Sequence, residues 1–402
     1  MAAALNLAAQ GFEVCLVERE KTLGGQARKL FRTWKGDPVQ QRLAEMVEAV
    51  KNHSHIDLRL ETRVAEVDGF VGNFKTTLDG RDGREVLEHG IVVIATGARE
   101  AEPREYAYGE DPRIVTHLEL DQKFMREDED LRTLGCAVFI QCVGSREPER
   151  PYCSRVCCTH AVESALYLKK MNPHAKVYIL YRDMRTYGER EMLYRAAREA
   201  GVLFIPYEAD RKPSVSPAQD GLKVRFEDPL LGKQISLTAD LVALASAIVP
   251  RDSEETARFF KLPTNEDGFF VESHAKLGPA EFAVDGIFLC GMAHYPKSID
   301  ESIAQAQAAA SRAARLLSRG TIQVGGTVAG VNPAACSGCG VCVSLCPYGA
   351  PALAAEGPPA GTARINEALC KGCGLCVSSC RSGAINLKGF GEDQILAMIQ
   401  EI

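Results

Sequence analysis

Residues 336–347 read CSGCGVCVSLCP, and residues 370–380 read CKGCGLCVSSC. Both stretches have the pattern C-x2-C-x2-C-x3-C, and the second repeats the first after an offset of 34 residues. Glycines between the first three cysteines of each run permit tight turns, so that three thiolates can face one iron–sulfur cluster. The fourth cysteine of each run then binds the other cluster. The spacing therefore predicts two interlocked [4Fe–4S] sites.

The two predicted ligand sets exchange their fourth cysteines. The first set is Cys336, Cys339, Cys342 and Cys380, and the second set is Cys346, Cys370, Cys373 and Cys376. The alternative is a pair of structural zinc sites, but zinc usually takes four ligands in two pairs and not in two interlocked quartets. Arg381 replaces the proline that usually follows the fourth cysteine, which alters the turn and not the ligation. We expect residues 336–402 to form an α+β two-cluster ferredoxin domain of the bacterial type.

The composition fits a globular protein of two or three domains. The chain has 402 residues, of which 46% are hydrophobic and 25% charged, and its net charge is −6. The negative charge argues against nucleic acid or an anionic membrane as a partner. Because no apolar run reaches 18 residues, we expect no membrane insertion. A chain of this size does not need disulfide staples, so its 15 cysteines favour metal binding in a reducing cytoplasm.

Strands and helices alternate upstream of the cysteine motifs. Apolar runs predict buried strands at 12–18, 90–98, 136–141, 176–181, 202–207, 239–250 and 286–291. Helical spacing is found at 39–51, around 160–171, near 188–200 and from residue 298 onward. Such alternation predicts an α/β protein with parallel, doubly wound sheets. By analogy with flavin disulfide reductases, we expect two Rossmann-like nucleotide-binding-type domains.

The expected domains are nested in the chain. The FAD-binding domain comprises residues 1–132 and a return segment, 251–320, and a second Rossmann-like domain, residues 133–250, is inserted between them. The Gly-rich stretch 321–335 is interpreted as a linker to the ferredoxin domain.

Three segments indicate an FAD site. Glu18 ends the strand 12–18, and an acidic residue at the end of the second strand of a dinucleotide-binding unit hydrogen-bonds the adenosine ribose. Residues 91–100, IVVIATGARE, are similar to the second flavin-contacting strand and its turn. Residues 285–310 are similar to the late strand whose glycine leads to the flavin phosphates, followed by a helix whose free N–H groups approach the ring.

The candidate FAD contacts follow from these segments. They are Glu18, Arg19, Gly25, Gln26, Ala95, Thr96, Gly97, Gly291, Lys297, Ser298 and Ile299. Met292 stands where flavin reductases usually have Asp. The first strand and the G-x-G-x-x-G loop that should precede residue 12 are absent from the sequence, so the main pyrophosphate cradle is missing.

A third group of cysteines follows the strand 136–141. Cys142, Cys153, Cys157 and Cys158 are spaced C-x10-C-x3-C-C, where a nicotinamide domain would carry a glycine-rich phosphate loop. Four thiolates converging at the end of a parallel strand can bind a third [4Fe–4S] cluster. The alternatives are a redox dithiol and buried structural cysteines. The arginines at positions 146, 150 and 155 either offset the thiolate charge or are solvated.

The remaining cysteines are isolated. Cys15, Cys136 and Cys290 lie in apolar runs, and we expect them to be inert, buried strand residues. His160 is interpreted as a residue of a helix start and not as a metal ligand.

The segment 141–188 closely resembles the A-type subunit of heterodisulfide reductase, and PKSIDESIAQAQAAASRAA and the paired cysteine motifs match the same protein in order. The resemblance implies an iron–sulfur flavoprotein with a thioredoxin-reductase-like body, in which the third cysteine quartet ligates a cluster near FAD. It also implies partner subunits of the B and C type and an electron-donating hydrogenase, dehydrogenase or ferredoxin. The family's members have an N-terminal extension and a glycine loop, so we expect a short or N-terminally truncated form.

The leading functional hypothesis is an electron-transfer subunit of a heterodisulfide-reductase-like complex, with flavin-based electron bifurcation as an extension. The first alternative is an NAD(P)H-dependent flavin oxidoreductase with a fused ferredoxin domain, which needs a nicotinamide site that the cysteine loop has replaced. The second alternative is a non-enzymatic ferredoxin module on a flavin-free scaffold. Flavin absorbance and bleaching by NAD(P)H distinguish the three hypotheses.

Overall fold

The computed structural model describes residues 1–81, 83–251, 253–321, 326–355 and 361–401. The expected linker 321–335 includes residues 322–325, which lie outside this part of the chain. The strands in the described ranges are β1 (Val14–Glu18), β2 (Ile56–Leu60), β3 (Arg63–Asp68), β4 (Phe74–Gly80), β5 (Gly83–His89), β6 (Val92–Ile94), β7 (Ala98–Glu100), β8 (Ile114–Thr116), β9 (Cys136–Val143), β10 (Lys176–Tyr181), β11 (Leu203–Pro206), β12 (Ser214–Ala218), β13 (Gly221–Asp228), β14 (Lys233–Ala239), β15 (Leu241–Ser246), β16 (Ile248–Pro250), β17 (Ile287–Leu289), β18 (Ala329–Val331), β19 (Pro351–Leu353), β20 (Ala363–Ile365) and β21 (Ile385–Leu387).

The helices are mostly short. The α-helices are α1 (Ala2–Ala9), α2 (Val39–Asn52), α3 (His117–Met125), α4 (Asp130–Thr133), α5 (Cys157–Met171), α6 (Glu191–Glu199), α7 (Ser253–Phe260), α8 (Ile299–Leu317), α9 (Val341–Leu345), α10 (Leu375–Ser378) and α11 (Glu392–Gln400). Single 3-10 turns occupy Gly25–Lys29, Gly188–Arg190 and Gly291–Ala293. In the described ranges, no helix has both the length and the apolar character needed to cross a bilayer.

The largest sheet has five parallel strands in the order β11-β10-β9-β15-β8, and we call it the inserted sheet. Its central strand, β9, is fully buried at Phe139 and Ile140, which face opposite sides. Phe139 packs with Ala161 and Ala165 of α5 on one face. Ile140 packs on the other face against the antiparallel sheet β12-β13-β14, where Val224 is buried. The predicted parallel α/β architecture is therefore confirmed here.

The flanking part of the body, which we call the outer unit, has two separate parallel strand pairs. Strand β1 pairs with β2, and β17 pairs with β6. No strand pairing between the two pairs is found among the described residues. Instead an apolar cluster spans both, because Leu7 of α1 and Ala310 of α8 pack with Val14, Val93 and Phe288. The antiparallel sheet β3-β4-β5 completes the outer unit.

A two-stranded ribbon connects the outer unit with the inserted sheet. β7 and β16 form an antiparallel ribbon with Val249 opposite Arg99. The prediction of one strand over 239–250 is therefore wrong, since β15 ends at Ser246 and the chain turns at Ala247, whose N–H donates to the Val143 carbonyl at 2.9 Å. The apolar run 90–98 is likewise divided between β6, a turn and the start of β7.

The inserted sheet also takes a strand from the N-terminal side of residue 133. β8 pairs with β15 through Val115 and Ala243. The domain boundaries given above remain predictions.

The C-terminal domain, described over residues 326–355 and 361–401, contains two short strand pairs and one short helix in each cysteine run. β18 and β21 pair antiparallel and enclose both cysteine runs in sequence, while β19 and β20 form an antiparallel hairpin between the runs. α9 contains Cys342 and α10 contains Cys376. The core of this domain is small, with Ala329, Ala363 and Ile385 buried between the two runs.

Candidate iron–sulfur and flavin sites

Two cavities in the C-terminal domain each collect one predicted quartet. The first cavity is lined by Cys336, Cys339, Cys342 and Cys380. The second is lined by Cys346, Cys370, Cys373 and Cys376. The fourth cysteine of each run thus lines the cavity of the other run, which is the crossed arrangement of a two-cluster site.

Glycines and backbone amides set the shape of these cavities. Gly338 and Gly372 have φ of 67° and 62°, and a side chain at Gly372 would come within 2.3 Å of the Thr327 carbonyl oxygen. The first cysteine of each run accepts a backbone N–H: Ala363 donates to Cys336 Sγ at 3.4 Å, and Ala329 donates to Cys370 Sγ at 3.3 Å. Such N–H···S bonds stabilise thiolates, so the quartets fit two [4Fe–4S] clusters.

The zinc alternative fits less well. Zinc usually takes its four ligands in two pairs, whereas each cavity here is lined by three thiols of one run and the fourth thiol of the other.

The third quartet lies at the carboxyl end of β9. Cys142 is near the end of that strand, and Cys157 and Cys158 open α5, while Cys153 lies in the connecting loop. The first three are buried and Cys153 is partly exposed. The pKa of Cys157 is raised well above its usual value, first by its hydrogen bond to Cys158, then by burial and by the charges of Cys158, Cys142 and Cys153. The four sulfurs therefore share one electrostatic environment.

The hydrogen bond between Cys157 and Cys158 lowers the pKa of Cys158 to about 7, although burial opposes this. Arg146 Nη1 lies 4.0 Å from Cys142 Sγ, and the backbone N–H of Arg155 donates to Cys153 Sγ at 3.3 Å. Burial nevertheless raises the pKa of Cys142, so that the Arg146 guanidinium offsets only part of the cost of a thiolate there.

The cysteine loop is strained. Cys142, Arg146 and Arg155 have φ of 62°, 59° and 57°, in the left-handed region that non-glycine residues rarely adopt. Each such residue costs about 1–3 kcal/mol and persists where the surrounding structure or a ligand fixes it. The loop geometry therefore fits a binding site better than it fits two inert buried thiols.

The isolated cysteines differ slightly from expectation. Cys15 in β1 and Cys136 at the start of β9 are only partly buried, and Cys290 is buried but follows the end of β17. Burial raises the pKa of both Cys15 and Cys136 to about 11. A raised pKa agrees with the expectation that these thiols are inert. The prediction that all three lie buried within strands is wrong.

The candidate flavin residues gather at the carboxyl ends of β6 and β17. The N–H of Cys290 donates to the Ile94 carbonyl at 3.1 Å, so the turns after the two strands lie side by side. Gly97 and Gly291 have φ of 78° and 73°, and no atom lies within 4 Å of where a Cβ would stand. Ala95 and Thr96, which directly precede Gly97, are exposed. A flat ligand can therefore approach the backbone closely here.

The adenosine end of the candidate site lies at β1. Glu18 ends β1, and its Oε1 accepts the N–H of Glu20 at 3.0 Å. Arg19 is partly buried, and its Nε lies 3.6 Å from Glu20 Oε1. Gln26 lies in the 3-10 turn that begins at Gly25, and its Oε1 is buried without a hydrogen-bond partner. An orphaned acceptor next to the end of β1 fits a polar ligand such as FAD.

The start of α8 completes the candidate site. The N–H and Oγ–H of Ser298 both donate to Glu301 Oε2 at 3.0 Å, which fixes the first turn that begins at Ile299. Lys297 is 4% exposed, its Nζ lies 3.9 Å from the Tyr295 ring centroid, and burial lowers its pKa to about 8. The side chains present fit the ribose and ring ends of FAD.

The contact between the cysteine loop and the flavin turn was not anticipated from the sequence. Arg155 Nη1 donates to the Pro296 carbonyl at 3.0 Å, and its Nη2 donates to Tyr187 Oη at 3.2 Å and Glu301 Oε1 at 3.3 Å. Arg190, in the 3-10 turn before α6 and outside the cysteine loop, donates through Nη2 to Ser298 Oγ at 2.8 Å. A local pattern could not reveal these contacts, because Pro296 lies 141 residues after Arg155.

A buried carboxylate makes a second connection. Asp121 in α3 accepts the Phe31 N–H at 2.9 Å through Oδ2 and pairs with His160 Nε2 at 2.9 Å through Oδ1. His160 is in the first turn of α5, as the sequence indicated. The side chain of Asp121 therefore connects the segment that follows Gln26 with α5, the helix that begins at Cys157.

Comparison with known proteins gives a consistent result. Residues 335–384 match the family described as a 4Fe-4S dicluster domain. Over 87% of its length, the chain is 32% identical to the second A-type iron-sulfur subunit of the CoB–CoM heterodisulfide reductase of Methanopyrus kandleri and covers 67% of that protein. It is 30% identical, over 86% of its length, to the A-type subunit of the H(2)/formate:CoB-CoM heterodisulfide,ferredoxin reductase of Methanococcus maripaludis, of which it also covers 67%.

Solved structures resemble the body of the molecule. The thioredoxin reductase of Lactococcus lactis in its FR conformation superposes with a TM-score of 0.53 at 18% identity, covering 79% of this chain and 95% of that one. The thioredoxin reductase of T. acidophilum gives 0.51 at 15% identity, covering 79% and 93%. At these identities the similarity shows the fold alone, and it confirms the predicted thioredoxin-reductase-like body.

Proposed function

Because this chain belongs to the family of A-type heterodisulfide reductase subunits, we propose that it carries electrons between FAD and three [4Fe–4S] clusters for its partner subunits. The family predicted from residues 141–188 is confirmed, and the chain is accordingly an oxidoreductase subunit with a two-cluster iron–sulfur domain. Bound FAD supplies the conversion between two-electron and one-electron chemistry. Bifurcation remains a prediction of the resemblance.

The twelve grouped cysteines are the proposed ligands. Eight form the two crossed quartets of the C-terminal domain, which the two cavities support. Cys142, Cys153, Cys157 and Cys158 hold the third cluster, which is supported by their shared electrostatic environment and by the strained loop. Arg146 offsets part of the negative charge that four thiolates would place there.

One observation carries the proposal most strongly: Arg155 lies between Cys153 and Cys157 in sequence and donates to the carbonyl of Pro296. Pro296 directly precedes the proposed flavin contacts Lys297 and Ser298. The cysteine loop and the flavin turn are thus in direct contact, which supports electron transfer between the proposed cluster and FAD.

The proposed flavin contacts have distinct tasks. Glu18 binds the adenosine ribose, with Arg19, Gly25 and Gln26 beside it. The backbone at Ala95–Gly97 and at Gly291 admits the flavin closely, since neither glycine has an atom near its Cβ position. Lys297, Ser298 and the N–H groups from Ile299 onward face the ring, where the partial positive charge of the α8 N-terminus is greatest.

The proposed partners follow from the family. They are subunits of the B and C type and an electron-donating hydrogenase, dehydrogenase or ferredoxin; the M. maripaludis relative is named for H2/formate, heterodisulfide and ferredoxin. We place the complex in the cytoplasm, because all 15 cysteines of this chain are unpaired thiols and such thiols persist in a reducing compartment.

Iron and flavin quantitation of the chain tests the proposal. We expect about twelve irons and one FAD per chain, and about eight irons when Cys157 and Cys158 are both replaced by Ala. Cys15→Ala is the matched control and should retain about twelve irons. We also expect no saturable NAD(P)H binding.

The alternatives give different results. Eight irons in the wild type together with oxidation of NADPH would identify an NAD(P)H-dependent flavin oxidoreductase instead. Intact clusters without flavin would identify a flavin-free ferredoxin module.

A further inference from the structure

Unpartnered polar atoms concentrate at one edge of the inserted sheet. Among the described residues, nine buried side-chain nitrogen or oxygen atoms have no hydrogen-bond partner. Six of them lie at or next to the carboxyl ends of the parallel strands or in the first turn of α5: His117 Nε2, Gln141 Nε2, Gln141 Oε1, Thr159 Oγ1, Arg182 Nε and Ser246 Oγ. Because buried polar groups are nearly always hydrogen-bonded, a polar group belongs at this edge.

Gln141 is the most informative of these residues. Its side chain is 0% exposed, and neither polar atom of its amide has a partner. Alternation along β9 places Gln141 on the same face as Ala137 and Phe139, and those two residues pack against α5. The amide therefore points toward the side of the sheet where α5 begins.

Three cysteines of the quartet belong to the two elements next to this amide, β9 and α5. Cys142 directly follows Gln141, and α5 begins with Cys157 and Cys158 on the face that the amide shares. Tyr207 Oη donates to the backbone carbonyl of Gln141 at 2.6 Å, which fixes the residue from the opposite side of the sheet. The side chain is held in place while its own polar atoms remain without protein partners.

We propose that Gln141 Nε2 donates a hydrogen bond to a sulfur of the cluster held by Cys142, Cys153, Cys157 and Cys158, and so raises the reduction potential of that cluster. The inference rests on the proposed function. Thiolate and sulfide sulfurs only accept hydrogen bonds, so they need a donor such as the amide NH2. Since the reduced cluster carries more negative charge than the oxidised one, a donor stabilises the reduced form more.

Gln141 Oε1 also lacks a partner, since neither Thr159 Oγ1 nor Ser246 Oγ donates to it among the described residues. In this proposal Gln141 is a positioning residue that sets the cluster potential and is not a ligand.

Potentiometric titration followed by electron paramagnetic resonance tests this role. Gln141→Met keeps the length of the side chain and removes the donor. We expect the variant to keep about twelve irons and unchanged C-terminal clusters. At a fixed potential, the ratio of reduced to oxidised cluster at the Cys142–Cys158 site should fall roughly tenfold, which corresponds to a reduction potential lower by about 59 mV for one electron. Ser164→Ala removes another orphaned buried hydroxyl further along α5 and should leave all potentials unchanged.

A second measurement applies if the variant loses the cluster. Wild-type protein labelled with 15N in its glutamine side-chain amides should show a hyperfine coupling to the reduced body cluster. Twelve irons with an unchanged potential in Gln141→Met, or no 15N coupling in the wild type, would overturn the role of Gln141 and leave the proposed function intact. Only eight irons in the wild type would overturn both.

Discussion

Cys339 is exposed and Cys342 is buried, although both line the first cavity of the C-terminal domain. The exposed thiol contributes little to the core of this domain, whereas Cys342 belongs to it. Replacing Cys339 therefore tests ligation with little effect on packing.

Cys339→Ser should remove or convert one C-terminal cluster and leave the other intact, because the two cavities share no cysteine. Iron content should fall from about twelve toward about eight, and one of the two ferredoxin signals in electron paramagnetic resonance should remain. Cys136→Ser, at a thiol outside all three quartets, is the control. Unchanged iron with both signals retained would contradict the ligand assignment.

Lys297 should make stability depend on pH in a defined direction. Its folded pKa of about 8 lies below the ordinary value of 10.5, because burial disfavours the charged amine. Burial of the charged amine lowers the stability of the folded protein below pH 8. This destabilisation is lost as pH rises from 8 toward 10.5, because in that range the unfolded chain binds the proton more strongly than the folded chain. The change is on the order of 3 kcal/mol.

The measurement is the thermal midpoint of wild type and Lys297→Met between pH 7 and 10. The wild type should gain stability relative to the variant as pH rises above 8. The exposed Lys276→Met is the control, and its profile should run parallel to that of the wild type. Parallel profiles for Lys297→Met as well would show that Lys297 is not titrating in this range.

The role of a residue could be predicted from the sequence only where it belongs to a short, local sequence pattern. The eight C-terminal cysteines form a motif within 45 residues, so spacing alone assigned them to two cavities. Gln141 and Arg155 carry no such pattern. Gln141 is conspicuous only because its buried amide lacks partners, and Arg155 only because the fold brings Pro296 to it.

At the scale of elements, the loop between β9 and α5 is one of the parts that connect the two halves of the body. Arg155 makes three hydrogen bonds outside the loop, of which one reaches Pro296 in the turn before α8, one reaches Glu301 in the first turn of α8 and one reaches Tyr187. Arg150 in the same loop instead reaches only the Gly144 carbonyl of its own loop, at 3.4 Å. The two arginines therefore form a matched pair for testing.

Arg155→Met should loosen both the cysteine loop and the 291–298 turn. Losing the partly exposed contacts with Pro296 and Glu301 should cost about 1 kcal/mol, which corresponds to roughly fivefold faster amide exchange in both segments. Arg150→Met should affect the loop alone. If exchange in 291–298 is unchanged in Arg155→Met, the side chain does not hold the turn.

The elements that the sequence predicted well are the buried, apolar ones. The run 176–181 coincides with β10, because an uninterrupted apolar segment suits a strand covered on both faces. The antiparallel sheet β3-β4-β5 was missed because its exposed strand β5, GREVLEH, is mostly polar. The break between β15 and β16 was missed because both strands are apolar, so periodicity gives no sign of the turn.

At the scale of the whole molecule, the C-terminal domain contacts the outer unit beside its second cavity. Lys371, between Cys370 and Cys373, forms an ion pair with Asp285, just before β17. Gly349, three residues after Cys346, lies so close to Lys261 Nζ that a Cβ would come within 2.2 Å. The domain order was predictable from the motifs, but this contact between polar surfaces has no sequence pattern.

Asp285→Lys should weaken this docking without unfolding either part. The side chain of Asp285 is 57% exposed, so the loss in stability should stay below about 1 kcal/mol. Small-angle X-ray scattering at low salt should show a larger radius of gyration, and the double variant Asp285→Lys/Lys371→Asp should restore the wild-type value. An unchanged radius in the single variant would show that the ion pair does not hold the domains together.

The strained loop of the proposed third cluster site links the stability of the body to iron supply. Three non-glycine residues, Cys142, Arg146 and Arg155, hold left-handed φ angles, each of which costs about 1–3 kcal/mol. In the proposed site, ligation would offset this strain, so that metal affinity and loop folding would be one equilibrium governed by mass action. We therefore expect this loop to lose its order before the rest of the body when iron is scarce, and its contact with the flavin turn to be lost with it.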